Sequence, residues 1–445
     1  MEFMRRYKLL FTYLLLFLCK SCDAVDCSGT HLVFSHLSTQ PNCRYAPNAE
    51  SIKLDGVSWV ELSNWFQPFP NLRELDLNYI LQINDLSLEH TPKLEKLRIA
   101  GAAFKSLDPS IIEHPSLRVL RLIDLQQLER LESIHSPIRH LTLEGSPLLS
   151  ELPPQLSGAK LDHLSLRNNG IRSIGEEITS QGELTFLDLS NNPIQQMPNT
   201  ISRLKQLVTL TLNHTSIRAL PAGINDLQML LELELENVHE LTYIPPLDGM
   251  QNLSTLSIKV APQLSQLSID HLDSLLLLEL TGSGLTASPK IGLAPRLERL
   301  KLRYNQGLTE LNLAASHVPN LRYLHLDQNA LRHISGLEGI SHLQGLFLED
   351  NQMQLIPEST CQLEQLEELR LSHNSLRQLC DLSTLKKLRA LTINNNNFSH
   401  LPEDLDKISA LKFLDIREIG HHVHEHQLRL TLGDHYSERI HVVLD

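Results

Sequence analysis

The chain has 445 residues and a formal net charge of −13, and its residues are 41% hydrophobic but only 5% aromatic. The acidic balance argues against sequence-independent binding of nucleic acid, which requires a basic face. The apolar content argues against intrinsic disorder. Leucine supplies much of that content, and an excess of one apolar residue type indicates a small repeated unit rather than three separate globular domains.

The N-terminal segment has the layout of a secretory signal peptide. Three basic residues lie within residues 1–8, and residues 9–18 form an uncharged apolar run. That run is too short to cross a hydrocarbon core about 30 Å thick. We predict a signal peptide over residues 1–24 with cleavage after Ala24, and a secreted or periplasmic mature chain without stable membrane insertion. A retained or lipidated N-terminus is the alternative.

Export allows the remaining cysteines to form disulfide bonds. Cys27 and Cys43 flank the stretch before the first repeat, and a bridge between them is predicted to pin an N-terminal cap over residues 25–48. Cys361 and Cys380 fall at different phases of neighbouring repeats, and their Cα atoms are expected to lie too far apart for a bridge. We interpret them as buried free thiols that act as small hydrophobic residues.

From about residue 49 the chain repeats the pattern L-x-x-L-x-L-x-x-N-x-L every 21 to 24 residues. Clear copies are LDHLSLRNNGI at residues 161–171 and LRYLHLDQNAL at residues 321–331. In this pattern the chain resembles the leucine-rich repeat family, with about seventeen copies over residues 49–420. Copies that continue L-P-x-x-I, as at residues 220–224, resemble the 23-residue repeats of Shoc2-like proteins, of the plant Ras group and of secreted bacterial effectors. Residues 334–337 instead resemble a 22-residue form, so the subfamily stays open.

The pattern favours an α/β solenoid. Leucines that alternate along a short strand share one face, and a single strand cannot bury that face, so stacked copies form a parallel sheet around a shared core. The resemblance implies a curved sheet on the concave side and short helical or 3-10 segments on the convex side. The consensus asparagine is expected to bind turn backbone that each strand end leaves unpaired. It is present as Asn169, Asn192, Asn305, Asn329, Asn351, Asn374 and Asn396, and is replaced between them by Thr215, Val238, Ala261 and Ser283.

Residues 421–445 leave the repeat pattern. Apolar residues alternate over 428–432 and 440–444 with Gly433–Asp434 between them, which predicts a β-hairpin that caps the solenoid. The histidine-rich segment 421–426 is interpreted as a polar edge that discourages strand pairing. The alternative is a zinc or copper site, because alternate histidines of an extended strand share a face.

No catalytic motif stands out in the mature region. The only dinucleotide-like fingerprint, G-x-G-x-x-A at residues 282–287, coincides with the turn of a repeat and lacks a following βαβ unit, so we predict neither enzyme activity nor a cofactor. The favoured function is an exported scaffold that binds a protein ligand, as a bacterial effector or as a receptor-like or matrix protein. The alternatives are the substrate-recognition part of an enzyme such as a ubiquitin ligase, and a structural extracellular or envelope protein.

Residues that alternate with the inward leucines are expected to face the concave surface, which commonly binds proteins in this family. Glu232, Glu234 and Glu236 predict an acidic strand there, and a basic, aromatic region follows further along the sheet. Exposed aromatic residues flanked by arginine have the composition of interface hot spots; the alternative is a solvated face of mixed charge. The predicted binding residues are Arg299, Lys301, Arg303, Tyr304, Tyr323, His325, Phe347 and Arg370.

If residues 1–24 are a cleaved signal, protein secreted from a secretion-competent host should begin at Val25, as N-terminal sequencing would show. Leu15→Arg places a charge in the apolar run and is expected to keep the protein inside the cells. An intact Met1 in the secreted pool would contradict the prediction.

Overall fold

The structure is a computed structural model, and it describes residues 29–36, 48–57, 69–80, 86–153, 155–156, 158–402, 405–419, 425–433 and 436–444. The predicted signal peptide, Cys27, Cys43 and the side chains of the histidine-rich segment 421–426 lie outside these residues, so their roles stay predictions. In the described ranges, no helix is long and apolar enough to cross a membrane.

Short strands stack in parallel into a single long sheet, which confirms the predicted solenoid. Each strand pairs with the strand of the next coil in register, so that Leu300 lies opposite Leu324, and Leu324 opposite Leu346. These inward leucines are fully buried. Within the described residues the sheet has 19 strands. They are His31–Ser35, Ser51–Asp55, Glu74–Asn78, Lys96–Ala100, Val119–Ile123, His140–Glu144, His163–Ser165, Phe186–Asp188, Thr209–Thr211, Glu232–Glu236, Thr255–Lys259, Leu277–Thr281, Arg299–Lys301, Tyr323–His325, Gly345–Phe347, Glu368–Arg370, Ala390–Thr392, Phe413–Asp415 and His441–Val443.

The convex side consists of short helical segments and small strand pairs. Proline directly precedes several of the 3-10 segments, as Pro198 and Pro221 do, and its fixed φ starts the turn. Two small parallel pairs join Ser268–His271 to Lys290–Leu293 and Glu310–Asn312 to His333–Ser335. The α-helical turns are Pro109–Ile112 and Glu176–Thr179, and the 3-10 segments are Asn199–Arg203, Ala222–Asp226, Ala315–His317, Glu358–Gln362, Leu382–Thr384 and Leu405–Lys407.

The consensus asparagines form a buried ladder that ties each coil to the preceding one. Asn329 Nδ2 donates to the carbonyl oxygens of Leu326 in its own coil and Leu302 in the preceding coil, both at 2.6 Å. Asn329 Oδ1 accepts from the backbone N–H of Asn305 at 2.7 Å. The amide therefore satisfies three buried backbone groups, as the sequence predicts. Equivalent bonds are made by Asn169, Asn192, Asn351, Asn374 and Asn396.

The ladder is incomplete in the middle of the chain. Thr215 Oγ1 donates only to the Leu212 carbonyl, at 2.8 Å. Val238 and Ala261 place fully buried apolar groups at the same position. The residue before this position has a positive φ in the neighbouring coils, and at Val260 it is a β-branched residue with φ 53°. Backbone strain of this kind is tolerated because the coils on both sides fix the turn.

The predicted C-terminal hairpin is wrong. Residues Glu425–Leu432 form an α-helix, a second helical turn covers Tyr436–Arg439, and the strand His441–Val443 pairs in parallel with Phe413–Asp415. Within the helix Leu428 and Leu432 are buried while Leu430 is 73% exposed. Leucines at 428 and 432 fit a helical stripe as well as an alternating strand, and burial against the last coil selects the helix.

Cys361 and Cys380 form a disulfide bond between neighbouring coils, with Cα atoms 6.1 Å apart, so the expectation of two free thiols is wrong. Cys380 stacks over the preceding coil, where its Sγ lies 3.9 Å from the carbonyl oxygen of Pro357. The 3-10 segment Glu358–Gln362 begins directly after Pro357. About one turn of that segment separates Cys361 from Pro357, so the two residues lie on the same side of the coil. Cys380 therefore lies close to Cys361, although the two cysteines occupy different positions in their repeats.

Removing one rung of the asparagine ladder is expected to destabilise the solenoid. Asn329→Ala leaves three buried backbone groups unpaired and should lower the free energy of unfolding by about 3 kcal/mol, measured by urea unfolding. Asn305→Ala is the comparison within the ladder and should cost less, because Asn305 Nδ2 donates to the carbonyl oxygens of Leu280 and Arg303 while its Oδ1 has no partner in the described residues. A loss for Asn305→Ala as large as that for Asn329→Ala would contradict the ladder.

The disulfide bond is expected to stabilise the mature chain. Its loop spans a sequence separation of 19, and Cys380→Ser should lower the free energy of unfolding by about 3 kcal/mol. In a Cys27→Ser/Cys43→Ser background, a reducing agent should lower the stability of the chain with Cys380 to that of the Cys380→Ser variant. Stability that does not respond to the reducing agent would show that the two thiols are not bonded.

Candidate functional site

The concave face of four neighbouring strands carries most of the predicted binding residues. Because the strands pair in register, equivalent positions form columns that run across the sheet. Residues in a column are separated by the distance between strands, about 4.8 Å, so side chains in neighbouring coils contact each other. One column contains Lys301, His325, Phe347 and Arg370, and a second contains Arg299, Tyr323, Gly345 and Glu368.

His325, Phe347 and Arg370 form a stacked column. The rings of His325 and Phe347 have centroids 4.1 Å apart and are nearly parallel, at 6°. The Arg370 Cζ lies 5.4 Å from the centroid of Phe347, on which it makes a cation–π contact. Burial lowers the pKa of the His325 imidazole. At neutral pH the column therefore contains a neutral histidine ring, a phenyl ring and a guanidinium group.

Arg299 and Tyr323 form a second cation–π pair beside this column, with Arg299 Cζ 5.7 Å from the ring centroid. Gly345 makes room for the aromatic rings. A Cβ at this position would lie 2.7 Å from the Phe347 ring and 2.9 Å from the Tyr323 ring. Glycine is thus part of the site, a role that the alternation of the sequence does not reveal.

Neighbouring carboxylates largely compensate the positive charge of the basic residues Lys301 and Arg303. Arg303 Nε donates to Asp327 Oδ2 at 2.8 Å and Arg303 Nη2 to the same oxygen at 2.7 Å, and this bond raises the pKa of Arg303. The Lys301 ammonium lies 3.8 Å from Glu279. Tyr304, at the turn, is 46% exposed and lies under the Arg303 guanidinium. The site is therefore a mixed-charge aromatic surface rather than a uniformly basic one.

A groove of about 670 Å³ lies beside the stacked column, where the next strand along the sheet carries smaller side chains. Ala390 and Thr392 occupy the strand after Arg370, and Phe413 stands on the strand beyond. Burial raises the pKa of the Glu349 carboxyl, and the nearby carboxylates of Asp327, Asp350 and Glu368 act in the same direction. The middle of the groove is lined by Glu349, Asp350, Glu368, Arg370, Thr392 and Phe413, and its ends by Arg303, Asp327, Asp415 and Arg417.

A second set of stacked rings, which is not among the predicted binding residues, lies nearer the N-terminus of the same face. His140, His163 and Phe186 occupy one column. His163 and Phe186 have ring centroids 4.2 Å apart at 4°, and His140 and His163 are 5.6 Å apart. Burial lowers the pKa of His163. The alternation that identifies Phe347 applies equally to these residues and could have found them.

Comparisons with known proteins support the repeat architecture. Residues 99–281 match the family described as "Leucine-rich repeat region", and residues 295–353 match "Leucine rich repeat". No curated protein matches the chain. A solved leucine-rich repeat protein of Leptospira interrogans aligns with a TM-score of 0.56 and 22% identity, over 92% of this chain and 93% of that one. The Toll–Spätzle complex of Drosophila aligns with a TM-score of 0.56 and 18% identity, over 87% of this chain and 57% of that one.

At these identities the structural neighbours show the fold alone. The matched residues coincide with coils whose inward leucines are fully buried and whose strands pair in register. The sequence pattern, the family matches and the solenoid agree on one conclusion: the chain belongs to the leucine-rich repeat family.

Proposed function

We propose that this protein is an exported scaffold that binds a protein partner on its concave face. The principal contact is the aromatic surface formed by Arg299, Tyr323, His325, Phe347 and Arg370. The observation that carries the proposal is the stacking of His325, Phe347 and Arg370, which holds three large side chains in one arrangement before a partner arrives.

Preorganised aromatic and arginine side chains suit protein recognition. Binding requires the ordering of side chains, at about 0.5–1.5 kcal/mol for each one immobilised. Stacking has already restricted Phe347 between its neighbours, and Gly345 leaves room for the rings of Tyr323 and Phe347. Aromatic residues and arginine also supply most hot spots at interfaces. The surface thus offers a large contact area at a small entropic cost.

The proposal is tested by removing the two aromatic side chains at the centre of the surface. Partners of the mature chain are captured from its natural surroundings and identified by mass spectrometry, and the dissociation constant is then measured. Tyr323→Ala/Phe347→Ala should weaken binding at least about tenfold, since a hot-spot side chain contributes about 2 kcal/mol or more.

His163→Ala/Phe186→Ala is the matched control, because it removes a stacked pair from the same face about seven strands away. Circular dichroism spectra and urea unfolding midpoints should be compared for both variants, so that a loss of binding is not confused with unfolding. Unchanged affinity of the Tyr323→Ala/Phe347→Ala variant for every captured partner would show that this surface is not the binding site.

A further inference from the structure

The groove beside the aromatic surface contains more carboxylates than cations. Residues of several successive coils line it, because strands paired in register place their outward side chains next to one another. Its charged side chains are the carboxylates Asp327, Glu349, Asp350, Glu368 and Asp415 and the guanidinium groups Arg303, Arg370 and Arg417.

All three guanidinium groups are engaged in close pairs, and two of these pairs lie at the ends of the groove. Arg303 Nη2 lies 2.7 Å from Asp327 Oδ2, and the Asp327 side chain is 8% exposed. Arg417 Nη2 lies 2.6 Å from Asp415 Oδ2. Burial opposes ionisation of Asp415, but the hydrogen bonds from Arg417 outweigh it and lower its pKa. Within each of these two pairs the opposite charges compensate each other. The remaining charged side chains lie in the middle of the groove.

In the middle, Arg370 pairs closely with Glu368, and two further carboxylates, Glu349 and Asp350, lie nearby. Arg370 Nε donates to Glu368 at 2.6 Å, while Arg370 Nη1 is 3.9 Å from Glu349. Asp350 lies 4.0 Å from the His373 ring, which counts as a cation only when it is protonated. Glu349 and Asp350 thus have no fully charged partner within ordinary hydrogen-bonding distance among the described residues. Burial is the main cause of the raised pKa of Glu349, and the nearby Arg370 only partly opposes it.

Thr392 is a second and independent sign of a missing ligand group. It is 8% exposed and lines the groove, and its Oγ1 is buried without a hydrogen-bond partner in the described part of the chain. A buried hydroxyl without a partner costs about 1–3 kcal/mol. An N–H donor that reached this oxygen would satisfy it.

We infer that the groove receives a single basic side chain, lysine or arginine, from the protein partner, an inference that rests on the proposed function. The cation would lie between Glu349 and Asp350 and donate a hydrogen bond to Thr392 Oγ1. Phe413, at the far side of the groove, offers an apolar surface for the alkyl part of that side chain. The aromatic surface supplies contact area, and the groove supplies selectivity for charge.

The test uses a random dodecapeptide library displayed on phage and selected on the immobilised mature protein. Selected peptides should contain lysine or arginine at a fixed position relative to an apolar residue. Glu349→Gln/Asp350→Asn keeps the side-chain shapes and removes two charges, and should weaken a selected peptide at least about tenfold. Replacing the basic residue of the peptide with glutamine should cause a similar loss, and the two changes together should cost little more than either alone.

Glu234→Gln/Glu236→Gln is the control for non-specific attraction, since it removes two carboxylates from the same face but from the strand Glu232–Glu236. Equal losses in both variants, or selected peptides without enrichment of basic residues, would overturn the inference while leaving the proposed function intact. Selected peptides that bind equally well to the Tyr323→Ala/Phe347→Ala variant would instead contradict the proposed site. A selection that yields no binding peptide would overturn the groove as a receptor for a side chain.

Discussion

Pairing between coils is the constraint on which this structure depends. A strand of three to five residues can neither bury its inward leucines nor satisfy its backbone groups alone, so each coil depends on the two beside it. The asparagine ladder extends this dependence to the turns. Asn329 binds the backbone of its own coil and of the preceding coil, and accepts a hydrogen bond from the N–H of Asn305.

The same constraint builds the concave surface. Registered strands place each outward position next to its equivalents in neighbouring coils, about one strand spacing away. Equivalent residues of neighbouring coils therefore form columns across the sheet. His325, Phe347 and Arg370 stack because they occupy the same position in three successive coils. Gly345 matters for the same reason, since a side chain there would collide with rings from its own coil and from the preceding one.

The sequence predicts what the repeat period controls. Inward leucines, strand positions and the role of the asparagines follow from spacing alone, whereas features that depend on one local turn do not. The disulfide between Cys361 and Cys380 depends on a 3-10 turn that shifts one cysteine relative to the period. The leucines near the C-terminus are compatible with the period of a strand and with that of a helix. Packing against the last coil selects the helix, in which Leu428 is buried.

The net charge of a region on the concave face depends on neighbouring coils together and not on one strand alone. Arg299, Lys301 and Arg303 form a basic strand by themselves, but Asp327 and Glu279 on adjacent coils compensate two of the three cations. Arg370 belongs to both the aromatic surface and the groove, since its guanidinium contacts both the Phe347 ring and the Glu368 carboxylate. A basic group that entered the groove would compete with Arg370 for the carboxylates and favour its stacking on Phe347.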